Sequence, residues 1–238
     1  MEIMEIWLFF LRWVHFLAGI TWIGILYYFN FIQTPFFGET EAPVRSAAVQ
    51  KLVPRALWWF RWGAMFTFLA GILMYMHKLA EIGGSAFYTS SSYGLTITIG
   101  GVMGTIMFLN VWVIIWPNQQ VVIASAAQVA QGKEALPDAA SRGQWAGFAS
   151  RTNTLFSIPM LFFMGAASHF PSIIGATSSG SLTAFWIISL VIIGVVELNG
   201  LVGNPKWTTK KPLGSVAGTI WAGFILTAVL YSLFLILF

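Results

Sequence analysis

The chain has 238 residues, of which 58% are hydrophobic and 8% charged, with a formal net charge of +4 and no cysteine. Mean hydropathy is +0.78, and a soluble domain of this length carries about three times as many charged residues. The composition therefore excludes an ordinary soluble domain. The missing cysteines exclude a disulfide, an iron–sulfur cluster, a thiolate metal site and a covalent C-x-x-C-H haem attachment. Basic residues are scattered between apolar runs, so the charge is no nucleic-acid footprint, and no nucleic-acid partner is expected.

The apolar runs are continuous, not alternating, which in lipid signals helices instead of a barrel. The expected fold class is all-α: a polytopic membrane helix bundle of about six transmembrane helices, forming a single integral membrane domain over 1–238. Glu2 and Glu5 stand where a signal peptide would place basic residues, so no cleavable leader is expected. Span 1 covers Ile6–Gln33, span 2 Ala56–Lys78 and span 3 Leu95–Trp116. An Ala/Gln-rich helix runs on from span 3 past Pro117, and Gly83–Tyr93 reads as a loop. Span 4 covers Arg151–Phe170, span 5 Leu182–Leu201 and span 6 Leu213–Leu237, with a Gly/Ser-rich loop at Thr177–Ser181. Pro159 should kink span 4, because its ring removes an N–H and crowds the preceding turn. Gly100-x3-Gly104 and Gly214-x3-Gly218 predict close helix packing.

Lysine and arginine concentrate in alternate connections: Arg45, Lys51 and Arg55; then Lys133, Arg142 and Arg151; then Lys206, Lys210 and Lys211. The positive-inside rule puts these connections in the cytoplasm and both termini on the outer, periplasmic side of a bacterial inner membrane.

With that orientation all three histidines fall in the outer half. His15 lies about 12 Å below the boundary marked by Trp7, and His77 and His169 stand at the outer ends of spans 2 and 4. An imidazole inside a membrane span is a functional candidate, because burying it unpaired is costly, and it is a common axial ligand of haem iron. Gly19 follows His15 by one turn and would leave room for a flat macrocycle, and Gly165 precedes His169 likewise. The expectation is haem b, its iron held by His15 and by His169 or His77, with Met74 as a further candidate. The bland alternative is a packing or interfacial histidine. Asn30, Arg61, Asn110, Arg151, Asn153, Glu197 and Asn199 fall in the inner half. They serve either helix–helix hydrogen bonding and snorkelling or a polar cavity for an anion or a proton path.

Four stretches carry a resemblance: HFLAGITWIGILYYFNF (His15–Phe31), ALWWFRWGAMFTFLAGIL (Ala56–Leu73), NVWVIIWPNQ (Asn110–Gln119) and SRTNTLFSIPMLFFMGAASH (Ser150–His169). Together they resemble the membrane domain of bacterial membrane-bound urate hydroxylases, the urate oxidase N-terminal domain family. Span 1 is also similar to the first helix of the membrane-type protoporphyrinogen oxidases, which are haem-b proteins. The first resemblance implies oxidation of urate, with electrons leaving through a c-type cytochrome that family members typically carry fused. This cysteine-free chain would need that cytochrome, or a larger membrane complex, as a separate partner besides membrane lipid. It also implies a purine-like anion near Arg151 and Asn153, since an arginine fork and an amide suit a planar anionic heterocycle. Three readings stand: an electron-transfer or oxidoreductase protein holding haem b, urate hydroxylation with a separate cytochrome c, and a cofactor-free accessory subunit of a respiratory or photosynthetic complex.

Overall fold

The computed structural model describes residues 3–170 and 179–238. Every regular element among them is helical: α1 (Ile3–Tyr27), a π-helical segment (Tyr28–Gln33), α2 (Thr34–Glu39), α3 (Ala42–Lys51), α4 (Val53–Ile82), α5 (Gly84–Thr89), α6 (Ser92–Leu109), a second π-helical segment (Asn110–Ile115), α7 (Trp116–Val129), α8 (Ala139–His169), α9 (Ser179–Leu201), a 3-10 turn (Thr208–Gly214) and α10 (Val216–Leu237). Five stretches are long and apolar enough to cross a membrane: Ile3–Glu39, Val53–Ile82, Ser92–Ala130, Gly180–Leu201 and Val216–Leu237. Their outer faces leave Phe16, Ile20, Trp221 and Ile236 between 63% and 76% exposed, which in water would be an aggregation hazard. The chain is a multi-pass helical membrane protein.

The expected fourth span, Arg151–Phe170, lies within α8, whose apolar average falls short of the five. Its polar entrance lowers that average, and those residues face protein: Thr152, Asn153, Thr154 and Ser157 are fully buried. Buried hydroxyls there bond their own helix, Thr152 to Phe148 O and Ser157 to Thr154 O, so they need no water. α8 continues through Pro159 as one helix. The helix running on from span 3 is present as α7. Pro171 and the first part of the loop at 177–181 lie outside the described residues.

The chain divides into two compact units, 1–71 with 108–153 and 72–107 with 154–238. In the first, α1 and α4 touch backbone to backbone at Gly63, where a Cβ would stand 3.1 Å from Trp22 N and 3.3 Å from Ala18 O. Leu26, Phe60, Ala64 and Ala149 fill its core at 0–1% exposure.

In the second unit, Gly100 and Gly104 receive Met160 and Met164 of α8, so this glycine pair does pack helices. Gly223 of α10 lies against Leu155 O, the carbonyl one turn before Pro159, at 2.9 Å from a would-be Cβ. The Gly214/Gly218 pair does something else. Gly214 faces open space, and Gly218 sits in the N-terminal turn of α10 with its N–H bonded to Ser215 Oγ. The expected loop Gly83–Tyr93 contains α5, anchored by the fully buried Phe87, whose carbonyl lies closest to Gly94 and whose ring comes next. Lys210 is also not a solvated loop charge. It is 2% exposed, donates to Asn199 O (2.5 Å) and Gly200 O (3.2 Å), and so closes the C-terminal end of α9. Desolvation holds its pKa below the ordinary lysine value.

Candidate functional site

His15 is half-buried on α1, facing α4. Its Nδ1 lies 2.8 Å from the main-chain oxygen of Thr67. A carbonyl only accepts, so the proton must be on Nδ1, and the neutral ring then carries its lone pair on Nε2. The ring covers the next turn of α4: a Cβ at Gly71 would stand 3.0 Å from His15 Cε1 and 3.3 Å from Nδ1. The glycine that makes room for this imidazole is therefore Gly71, across the helix pair. Gly19, the expected one, faces the Thr67 side chain instead, 3.7 Å from its Cγ2. Thr67 is held in place in turn, its hydroxyl bonded to Gly63 O at 2.7 Å.

The other two histidines have plainer surroundings. His77, half-exposed, has Nε2 3.6 Å from Glu81 Oε2, which accepts from Lys78 Nζ at 2.6 Å. His169 is the exposed last residue of α8, and Gly165 one turn earlier faces open space. Among the described residues, no group of three or more His, Asp and Glu side chains could hold a metal ion. A metal carried in a macrocycle needs only one or two axial ligands, and a His15 with fixed tautomer and bare Nε2 fits that demand.

The first unit also holds a polar centre. Each of its two π-helical segments contains a buried asparagine. Asn30 Nδ2 donates to Ser150 Oγ (2.8 Å) and Leu26 O (2.9 Å), and Asn110 Nδ2 donates to Asn153 Oδ1 (2.8 Å). Both bonds end on one turn of α8, with half-buried Arg151 between the two acceptors in sequence. The π geometry has a local cause. Each segment runs into a proline, Pro35 or Pro117, at the start of the next helix. The proline lacks an N–H and crowds the carbonyl four residues back, and the register widens: Thr34 N–H bonds Phe29 O and Trp116 N–H bonds Val111 O, both i to i+5. Such bulges gather at functional sites. Arg151 and Asn153 stand on this turn with Ser150, and the two π-helical frames that meet it are what the sequence reading lacks. The prolines were the available signal.

Arg61 stands among tryptophans. Its Cζ is 3.9 Å from the Trp116 ring centroid, 5.2 Å from Trp112 and 5.9 Å from Trp62. Among the described residues, five buried side-chain polar atoms lack a hydrogen-bond partner, and four belong to this unit: Trp22 Nε1, Gln33 Oε1, Arg61 Nε and Trp112 Nε1. Orphaned buried donors and acceptors call for an explanation, and their concentration makes the first unit the place to look for chemistry.

The sequence model of the family described as urate oxidase N-terminal matches residues 82–230. That is more than half of the chain, and the chain belongs to this family. The matched stretch includes Asn110, Arg151, Asn153 and His169, whereas His15, Arg61 and His77 precede it. No curated protein and no solved structure matches the chain.

Proposed function

From this membership and the setting of His15, we propose that the protein holds b-type haem and works in membrane electron transfer or oxidation. One observation carries the reading: His15 Nδ1–H is bonded to Thr67 O, so Nε2 is the nitrogen left for iron. This is the outer-shell arrangement that orients an axial histidine and raises its basicity. Haem b supplies one-electron redox chemistry when bound. His15 would hold the haem iron, and variants at His169 and His77 ask whether either adds a second ligand. Gly71 leaves the space the ring occupies, and Thr67 keeps its tautomer. His15 would place the group in the outer half of a bacterial inner membrane, where a separate c-type cytochrome or larger membrane complex would accept the electrons.

The test is a reduced-minus-oxidised spectrum of protein expressed with ample haem. A Soret band and low-spin α band are expected, lost in His15→Ala, and altered by whichever of His77→Ala and His169→Ala removes the second ligand. No Soret band, or an unchanged spectrum in His15→Ala, would sink the haem reading and leave the accessory subunit in its place.

A second reading is favoured by the bonds from Asn30 and Asn110 to Ser150 and Asn153. They hold one turn of α8 rigid, with Arg151 on it, as a frame for a planar purine-like anion. Urate hydroxylation is then the activity, and the separate cytochrome the electron acceptor. Urate-dependent reduction of added c-type cytochrome is expected, and Arg151→Gln should abolish it. Intact haem without such reduction would leave electron transfer without urate.

A further inference from the structure

We infer that Arg61 is a phospholipid headgroup site, gripping the phosphodiester of one lipid with its guanidinium fork. The argument starts from an unbalanced charge. Among the described residues no carboxylate pairs with Arg61 and no acceptor meets it, although its Nε is buried. A cation inside a membrane helix is expensive without a counter-charge, and π-faces alone supply about 0.5–2 kcal/mol. Three indoles nevertheless hold the group in place. Trp116 lies under it at 3.9 Å, and Trp62 and Trp112 brace each other edge to face at 5.8 Å. Nε is the one Arg61 nitrogen both buried and without a hydrogen-bond partner, so the terminal nitrogens are the part of the fork open to a headgroup.

Depth selects the anion. Trp58 and Trp59, one turn or less before Arg61 on α4, are 48% and 59% exposed, and exposed tryptophans on a span settle at headgroup level. Arg61 is then about 3–5 Å deeper along the axis, at 1.5 Å per residue, within reach of the phosphates. Exposed Lys51 and Arg55 precede it on the water side and draw anionic headgroups to this end of the helix. A phosphodiester carries one negative charge on two equivalent oxygens, which matches one cation offering two parallel N–H groups.

The experiment is native mass spectrometry of the full chain released from detergent, titrated with dioleoyl-phosphatidylglycerol or with dioleoylglycerol, which has the same tails and no phosphate. The wild type should retain one phosphatidylglycerol at least tenfold better than the diacylglycerol. Arg61→Gln should lose that preference, Arg61→Lys should keep only part of it, and Trp116→Leu, which leaves the charge but removes the stack, should weaken it several-fold. Equal retention of both lipids by the wild type would overturn the inference, and this arm needs no variant to fold. So would an Arg61→Gln protein of native melting temperature with undiminished preference. Millimolar inorganic phosphate or urate should not displace the lipid. Displacement by either would reassign Arg61 as a site for small soluble anions.

Discussion

Substituting Gly71 by alanine separates the structural account of His15 from the one legible in sequence alone. The new methyl would stand 3.0 Å from His15 Cε1 and 3.3 Å from Nδ1, whereas carbon atoms in contact prefer about 3.5–4.0 Å. The ring has to retreat by roughly 0.5–1 Å, which stretches the 2.8 Å bond to Thr67 O beyond useful length. Losing that bond costs about 0.5–1.5 kcal/mol, and the overpacking about 1–3 kcal/mol. Replacing a mid-helix glycine returns about 0.8–1 kcal/mol. The net is a loss of about 0.5–3.7 kcal/mol, or roughly 1–15 °C in melting temperature for a chain of this size. Gly19→Ala is the control. Its methyl would meet Thr67 Cγ2 at 3.7 Å, an ordinary contact, so the helix-propensity gain should survive and stability should hold or rise. Thermal unfolding in detergent reads both variants, and the Soret band of haem-loaded protein reads the ligand. A Gly71→Ala protein as stable as wild type, or a Gly19→Ala protein less stable than Gly71→Ala, would refute the geometry.

Four further outcomes are expected. Asn110→Ala and Asn153→Ala should each cost about 1–3 kcal/mol by stranding a buried amide, and the double variant should cost less than their sum in a thermal or denaturant cycle. Gly223→Ala should lower the melting temperature by an overpacking cost of about 1–3 kcal/mol, since its methyl would lie 2.6 Å from Ile158 Cδ1. Lys210→Met should destabilise by about 1.5–3 kcal/mol in the same assay, the range for hydrogen bonds from a charged group, because two carbonyls of α9 lose their donor. A reporter fused after Phe238 should be active outside the cytoplasm and one inserted at Gly132 inside it. The reverse would move the proposed haem to the cytoplasmic half.

The helical membrane fold was open to reading because lipid leaves the backbone few options, and a continuous apolar run of span length has one physical meaning. The five apolar stretches were found that way, along with the helix running past Pro117. Reading failed where a residue's partner lies on another helix. Gly19 is one turn from His15, so in sequence it reads as the clearance. Gly71 is the glycine under the ring, and 56 positions in the chain separate them. In sequence Lys210 reads as a loop charge, because its burial depends on the carbonyls at the C-terminal end of α9 that it meets. The Gly214/Gly218 spacing fitted helix packing equally well as a capping turn, and only the Ser215 bond decides between them.

The polar centre shows how far local chemistry can carry such a reading. Asn30 and Asn110 stand in dissimilar contexts, FNFIQTP and NVWVIIWP, and share only a proline five or seven residues downstream. In each case the proline cannot donate to the carbonyl four residues before it, and the turn widens to i+5. A π turn inserts about one residue relative to an α turn, which rotates every side chain before it by roughly 100° relative to those after it. The two prolines therefore set the phase at which both asparagines meet α8, and Ser150 and Asn153 are the groups on α8 that receive them. The asparagines alone would have read as ordinary interhelical glue. Taken with their prolines, they mark two re-phased helices aimed at one turn, and that turn carries Arg151.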